Sequence, residues 1–97
     1  MSNSMSCTVS HDSGSRRFTA DIDGHRGYVE YQRDGDTLAL THTIVPTAIG
    51  GRGVAAELVR AALEHARAEG LKVRPDCSYV ESYLRRHDEY ADLRAAQ

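Results

Sequence analysis

Apolar and polar positions alternate through the first half of the chain. Phe18, Ala20 and Ile22 alternate with Thr19 and Asp21, the period of a strand with one buried face. Asp23-Gly24 follows, a pair suited to the positive φ values of a two-residue hairpin turn. A second extended run spans His25 to about Gln32, where Tyr28, Val29 and Tyr31 favour strand, and Asp34-Gly35 marks a second hairpin. A third run covers Thr37 to about Val45. With a short first strand from Cys7 to His11 and a loop from Asp12 to Ser15, this half predicts an antiparallel meander of three or four strands. Pro46 has no amide hydrogen to give to a ladder and is expected to end the last of them.

After the loop from Thr47 to Gly51 the period becomes helical, from Arg52 to Glu69. Ala55, Leu58, Val59, Ala62 and Ala66 share one face, while Glu57, Arg60, Glu64 and Arg67 line the other at ion-pair spacing. Gly70 suits the left-handed position past a helix end, with Leu71 folding back on the last turn. Leu71 to Arg74 reads as a short strand stopped by Pro75, and Ser78 to Arg86 as a second helix carrying Tyr79, Val80, Tyr83 and Leu84. A short turn is expected from Glu89 to Leu93. The helix is long enough to make strands 37–45 and 71–74 parallel, in a right-handed crossover. The predicted class is therefore α+β: an antiparallel meander, then a β-α-β unit and a C-terminal helix. Ligands bind outside the carboxyl ends of parallel strands. That places the loops Pro46 to Gly53 and Pro75 to Ser78 side by side at one sheet edge.

Composition narrows the function classes. The 97 residues suit a single domain over 1–97 with one modest core, residues 1–6 being expected to be disordered. A formal charge of −2 gives no general attraction to nucleic acid or to an anionic membrane, so neither is an expected partner. Met1 to Ser6 lacks the charged-then-apolar order of a signal peptide, and no apolar run approaches membrane-spanning length, so a cytoplasmic location is expected. Cys7 and Cys77 form no Cys-x-x-Cys pair and read as reduced thiols. The histidines show no metal-ligand spacing, and no metal is expected. The pattern sets no oligomeric state, and a monomer is compatible with it.

Ile49, Gly50, Gly51, Arg52, Gly53 and Val54 lie between the predicted strand and helix. Glycines let a backbone approach a ligand closely. A helix start presents unpaired N–H groups and a partial positive charge. Arg52 adds donors suited to phosphate. Phosphate binding is preferred here over a plain flexible turn. No lysine completes a P-loop. Gly51-x-Gly53-x-x-Ala56 matches the dinucleotide fingerprint, with Asp76 near the place of a ribose-binding acid. A dinucleotide fold, however, opens on its fingerprint strand and needs several β-α-β units; here a meander precedes the loop.

The chain carries, in order, the runs His42 to Pro46, Gly51 to Ala55 and Gly70 to Val73 with Pro75, then Cys77 to Val80, Tyr83, Arg86-His87 and Glu89-Tyr90. In order and spacing these runs resemble the GNAT superfamily of acyl-CoA-dependent N-acetyltransferases, and within it a minimal YjdJ-type subgroup. The resemblance implies acetyl-CoA as donor and an unidentified amine as acceptor. It implies that the backbone from Ile49 to Val54 holds the CoA pyrophosphate, with the pantetheine arm near Ile44 and Val45. It also points to Cys77 and His42 for catalysis. One position departs: Ala48 stands where the general pattern has Gln or Arg.

Each of these residues has a second reading. Cys77, just before a predicted helix, suits an acyl-accepting thiolate, or a packed core thiol. His42 shares strand parity with Leu38, Leu40 and Ile44, and reads as a general base or as a hydrogen-bonded core residue. Tyr79 and Tyr83 share one helix face, for packing or for protonating the departing CoA thiolate. Arg85, Arg86 and His87 suit a CoA phosphate, or an exposed basic helix end. Two functions follow: an N-acetyltransferase acting directly or through Cys77, or a CoA-binding regulatory module with little turnover.

Overall fold

The computed structural model describes residues 8–95 and carries one sheet whose strands lie side by side in chain order. These are β1 (Val9–Asp12), β2 (Arg17–Ile22), β3 (His25–Asp34), β4 (Thr37–Ile44) and β5 (Lys72–Pro75). The first four pair antiparallel and β4 pairs parallel with β5. Helix α1 (Val54–Glu69) makes the crossover between them, and α2 (Ser78–Arg86) and a 3-10 segment (Asp88–Leu93) follow β5. This is the expected meander, β-α-β unit and C-terminal helix. The expected disorder of residues 1–6 and the start of the first strand at Cys7 lie outside the described residues. Among the described residues no helix is long and apolar enough to cross a membrane.

The helices touch one another as well as the sheet, so they cover the same face of it. Phe18, Val29, Tyr31, Leu38, Leu40 and Val73 meet Leu58, Val59, Ala62, Leu63 and Ala66 of α1 and Val80 and Leu84 of α2 in a single buried cluster. The buried side of α1 differs from the expected face in that Val54 and Leu63 join it, while Ala55 is only half buried. The helix ends as expected: Gly70 is left-handed at φ 72° and the Leu71 amide folds back to Ala66 O at 2.8 Å.

Several boundaries differ from the sequence reading: β1 runs to Asp12, β3 to Asp34, and β5 starts at Lys72 instead of Leu71. Helix α1 begins at Val54, not Arg52, because Gly53 at φ 77° is left-handed and serves as the N-cap. Strand β4 ends at Ile44, one residue short of Val45. Pro75 belongs to β5 and pairs with Leu40 instead of stopping the strand. Val73 O faces outward to the Ala95 amide at 2.8 Å, so by alternation the imide nitrogen of Pro75 also faces outward. The inward bond is given by Asp76 N–H to Leu40 O at 3.1 Å. The final turn starts at Asp88 rather than Glu89.

The largest correction concerns parity along β4. Tyr31 pairs with Leu40 but Glu30 pairs with His42, leaving Thr41 as an extra residue in a β-bulge. The Thr41 hydroxyl donates to Glu30 O at 3.2 Å. Beyond the bulge Thr43, opposite Val29, takes the face of Leu40 and Tyr31, while His42 and Ile44 turn to the face of Glu30 and Tyr28. His42 is accordingly exposed and not on the core face with Leu38 and Leu40, and Ile44 is 47% exposed.

Candidate functional site

The parallel ladder is short. It runs from Thr37–Lys72 to Leu40–Pro75, after which β4 continues through residues 41–44 while the other chain turns away at Cys77 into α2. A wedge therefore opens between the far end of β4 and the head of α2, with no β5 partner along that stretch of β4.

Cys77 sits at this opening as the N-cap of α2, with extended backbone (φ −110°, ψ 135°). Its half-buried Sγ lies 3.4 Å from Thr43 Oγ1. Burial pushes the thiol pKa up, but the Thr43 hydroxyl, the Val80 and Tyr79 amides of the first helical turn and the Thr43 amide together outweigh it. The thiol is held below its ordinary value. The two helix amides act as nearby dipoles, for neither makes a capping hydrogen bond to the sulfur.

On the other side of the wedge, β4 leads into a tight 3-10 turn (Thr47–Ile49) anchored by the fully buried side chain of Ile49. Two amides expected to face a phosphate are spent inside this turn: Ile49 N–H on Pro46 O and Gly50 N–H on Thr47 O, both at 3.0 Å. The amides of Gly51, Arg52 and Gly53 donate to no carbonyl among the described residues. Those of Val54, Ala55 and Ala56 open a helix and have no acceptor four residues back. The open donors therefore span residues 51–56, shifted from the expected run of Ile49 to Val54. Gly51 and Gly53, at φ 78° and 77°, turn the backbone through left-handed conformations, and a Cβ at either would meet no atom within 4 Å. Open amides, bare backbone and a helix N-terminus fit a pyrophosphate. The Arg52 guanidinium is turned to the Asp23 carboxylate of the β2–β3 hairpin, at 2.7 Å.

Sequence reasoning missed two contributors. Thr43, not His42, faces Cys77. Gly27, in the middle of β3, is buried, and a Cβ there would stand 3.3 Å from Ile44 O and 3.4 Å from Val45 Cγ2 and Val54 Cγ1. Its bare backbone lets the end of β4 and the head of α1 close over β3. A glycine inside a strand pattern was the available signal.

The remaining expected residues lie along α2 and just past its end. Tyr83 is buried, stacks on His87 with ring centroids 3.9 Å apart, and has its pKa raised by burial, so its hydroxyl stays protonated near neutrality. His87 Nδ1 also lies 3.6 Å from Glu89. Arg86 is exposed and makes no ion pair among the described residues, while Arg85 pairs with Glu81 at 3.1 Å. Among the described residues no three His, Cys, Asp or Glu side chains converge on a metal position. A cavity of about 230 Å³ lies apart from the wedge, lined by Val9 of β1 and Glu57, Arg60, Ala61 and Glu64 of α1.

Known proteins resemble the chain at these elements. A family model described as GCN5-related N-acetyl-transferase matches residues 17–93, from the start of β2 to the end of the last turn. Protein NATD1 of Homo sapiens is 38% identical over 80 residues, covering 79% of this chain and 71% of the relative. Protein NATD1 of Xenopus tropicalis is 36% identical over 88 residues, covering 88% and 81%. The NMR solution structure of a GCN5-like protein from Staphylococcus aureus superposes with a TM-score of 0.73 at 26% identity, covering 94% of this chain and 90% of that one.

Proposed function

The chain belongs to the GCN5-related N-acetyltransferase family, and from that premise we propose that it moves acetyl from acetyl-CoA to an amine by way of Cys77. It is an acyltransferase whose acceptor is not identified. The observation that carries the reading is a thiol held below its ordinary pKa beside the end of β4, the strand that leads into the run of open amides.

In this reading the amides of residues 51–56 bind the pyrophosphate of the donor substrate, and the pantetheine arm follows β4 past Val45 and Ile44. The Cys77 thiolate attacks the thioester carbonyl carbon. A bond forms between the Cys77 sulfur and the acetyl carbon, the bond to the CoA sulfur breaks, and CoA leaves as a thiolate that takes a proton from water. The neutral acceptor amine then attacks the acetyl-Cys77 thioester. The amide forms, the Cys77 sulfur departs as thiolate, and the amine proton passes to solvent. An amide of β4 beside the wedge supports the carbonyl oxygen in each step. Arg86 and His87 are assigned to a phosphate of the donor, and buried Tyr83 to packing beneath His87. The cytoplasm, where CoA thioesters are available, is the proposed setting.

Two measurements test the donor site. CoA is expected to raise the melting temperature, because a ligand of the folded state stabilises it by mass action, and NAD is expected to give no comparable rise. No shift at millimolar CoA removes the donor assignment; a shift with NAD alone restores the dinucleotide reading. Binding without an acetyl adduct or any acetylated amine leaves a CoA-binding module.

The Arg52–Asp23 pair supplies a further expected result. Both side chains are about half exposed, at 48% and 66%, so the pair adds little to stability. Asp23→Asn keeps a residue tolerated at the positive φ of 53° found there. It releases Arg52 and removes a negative charge beside the phosphate loop. CoA is expected to bind about two- to five-fold more tightly at low salt, the range of an exposed ion pair, with the gain fading at high salt. Titration calorimetry at two ionic strengths checks it.

A further inference from the structure

We infer that Thr43 is the positioning residue for Cys77: the bulge at Thr41 turns the Thr43 hydroxyl to the head of α2, where it donates to the Cys77 sulfur as thiolate. This rests on the reading of Cys77 as the acetyl carrier.

Without the extra residue in β4, strict alternation from Leu38 and Leu40 would bring His42 to the wedge. The bulge pairs Glu30 with His42 and Val29 with Thr43, so the side chain that meets Cys77 is a hydroxyl. Thr43 stands opposite fully buried Val29 on the neighbouring strand, and its branched Cβ restricts the rotation of Oγ1. The contact is 3.4 Å and half buried. When Cys77 is a thiol it donates to Thr43 Oγ1; once ionised it can only accept, and the hydroxyl rotor reverses to donate. The Thr43 amide acts in the same direction. One residue of β4 thus offers the sulfur both a hydroxyl and a backbone dipole, while its neighbour His42 faces away.

The test is the pH dependence of Cys77 alkylation by iodoacetamide in the full chain, read by peptide mass so that Cys7 is scored separately. Thr43→Val keeps the side-chain shape and removes the donor. The midpoint is expected to move to higher pH and the rate at pH 7 to fall about ten-fold, the scale of one hydrogen bond to a charged group. Thr43→Ser restores the wild-type profile, and His42→Ala leaves it in place. Should Thr43→Val fail to fold, Thr43→Ala against Thr43→Ser makes the same comparison. A folded Thr43→Val or Thr43→Ala with the wild-type profile overturns the assignment. Mass analysis with acetyl-CoA separates it from the reading beneath it: a shifted alkylation profile with no acetyl adduct on wild-type protein refutes the acetyl carrier and upholds the Thr43 contact.

Discussion

Cys77→Ser is expected to abolish the gain of one acetyl mass on incubation with acetyl-CoA and to lower turnover per folded molecule by about 100-fold or more. A serine hydroxyl at the same N-cap would remain protonated near neutrality, whereas the thiol is held below its ordinary value by Thr43 and the first amides of α2. Stability responds far less. The site is half buried and already offers a hydroxyl partner, so the swap costs at most about 1–3 kcal/mol, the range for a poorly paired buried hydroxyl. Intact-mass analysis and a melting curve together check this. The wild-type adduct is expected to be reversed by hydroxylamine, as a thioester should be, and to form faster as pH rises through the thiol's depressed pKa. A Cys77→Ser protein with the wild-type rate would make Cys77 a packing residue and leave direct attack by the amine. An adduct mapped to Cys7 would show that exposure of a thiol, not this arrangement, explains the reactivity.

The fold was legible because its signals are local and repeated. Asp23-Gly24 and Asp34-Gly35 mark the hairpins by their φ requirements, and both glycines take positive φ. The change of period after the glycine loop marks the crossover helix, and Gly70 with Leu71 marks its end. The positions of the loops followed from topology alone, since parallel strands joined by a helix bring their following loops to one edge. Side-chain direction within the site was not legible. A bulge is one residue of extra chain with no composition of its own, and the one at Thr41 exchanges His42 for Thr43. Hydrogen bonding inside the glycine loop was hidden for a similar reason. Which amides are spent depends on the 3-10 turn closing at Gly50, and the run Thr47 to Gly50 reads equally well as open coil. Gly27 stood in a strand where a glycine has no local purpose, and its use appears only when the end of β4 lies across it.

The loop glycines permit a test in which strain and ligand contact are separated. Gly51, Gly53 and Gly70 have nearly equal φ values of 78°, 77° and 72°, and an added Cβ at each meets nothing within 4 Å. Replacement by Ala therefore carries the same backbone cost at all three, about 1–2 kcal/mol for a left-handed residue with a Cβ. In a domain of this size that lowers the melting temperature by roughly 4–8 °C per kcal/mol. Gly70 closes the far end of α1, sixteen residues of helix away from the phosphate loop. Gly70→Ala is thus expected to lose stability and keep its affinity for CoA. Gly51→Ala and Gly53→Ala are expected to lose comparable stability and, in addition, at least about ten-fold in affinity, because the methyl enters the space through which phosphate approaches the open amides. Gly53→Val extends the obstruction and should bring binding below detection while the protein still melts cooperatively. Calorimetric titration of the folded variants below their melting temperatures decides the matter. If the three Ala variants retain equal affinity, the glycines serve only to turn the chain, and the donor phosphate must be held elsewhere.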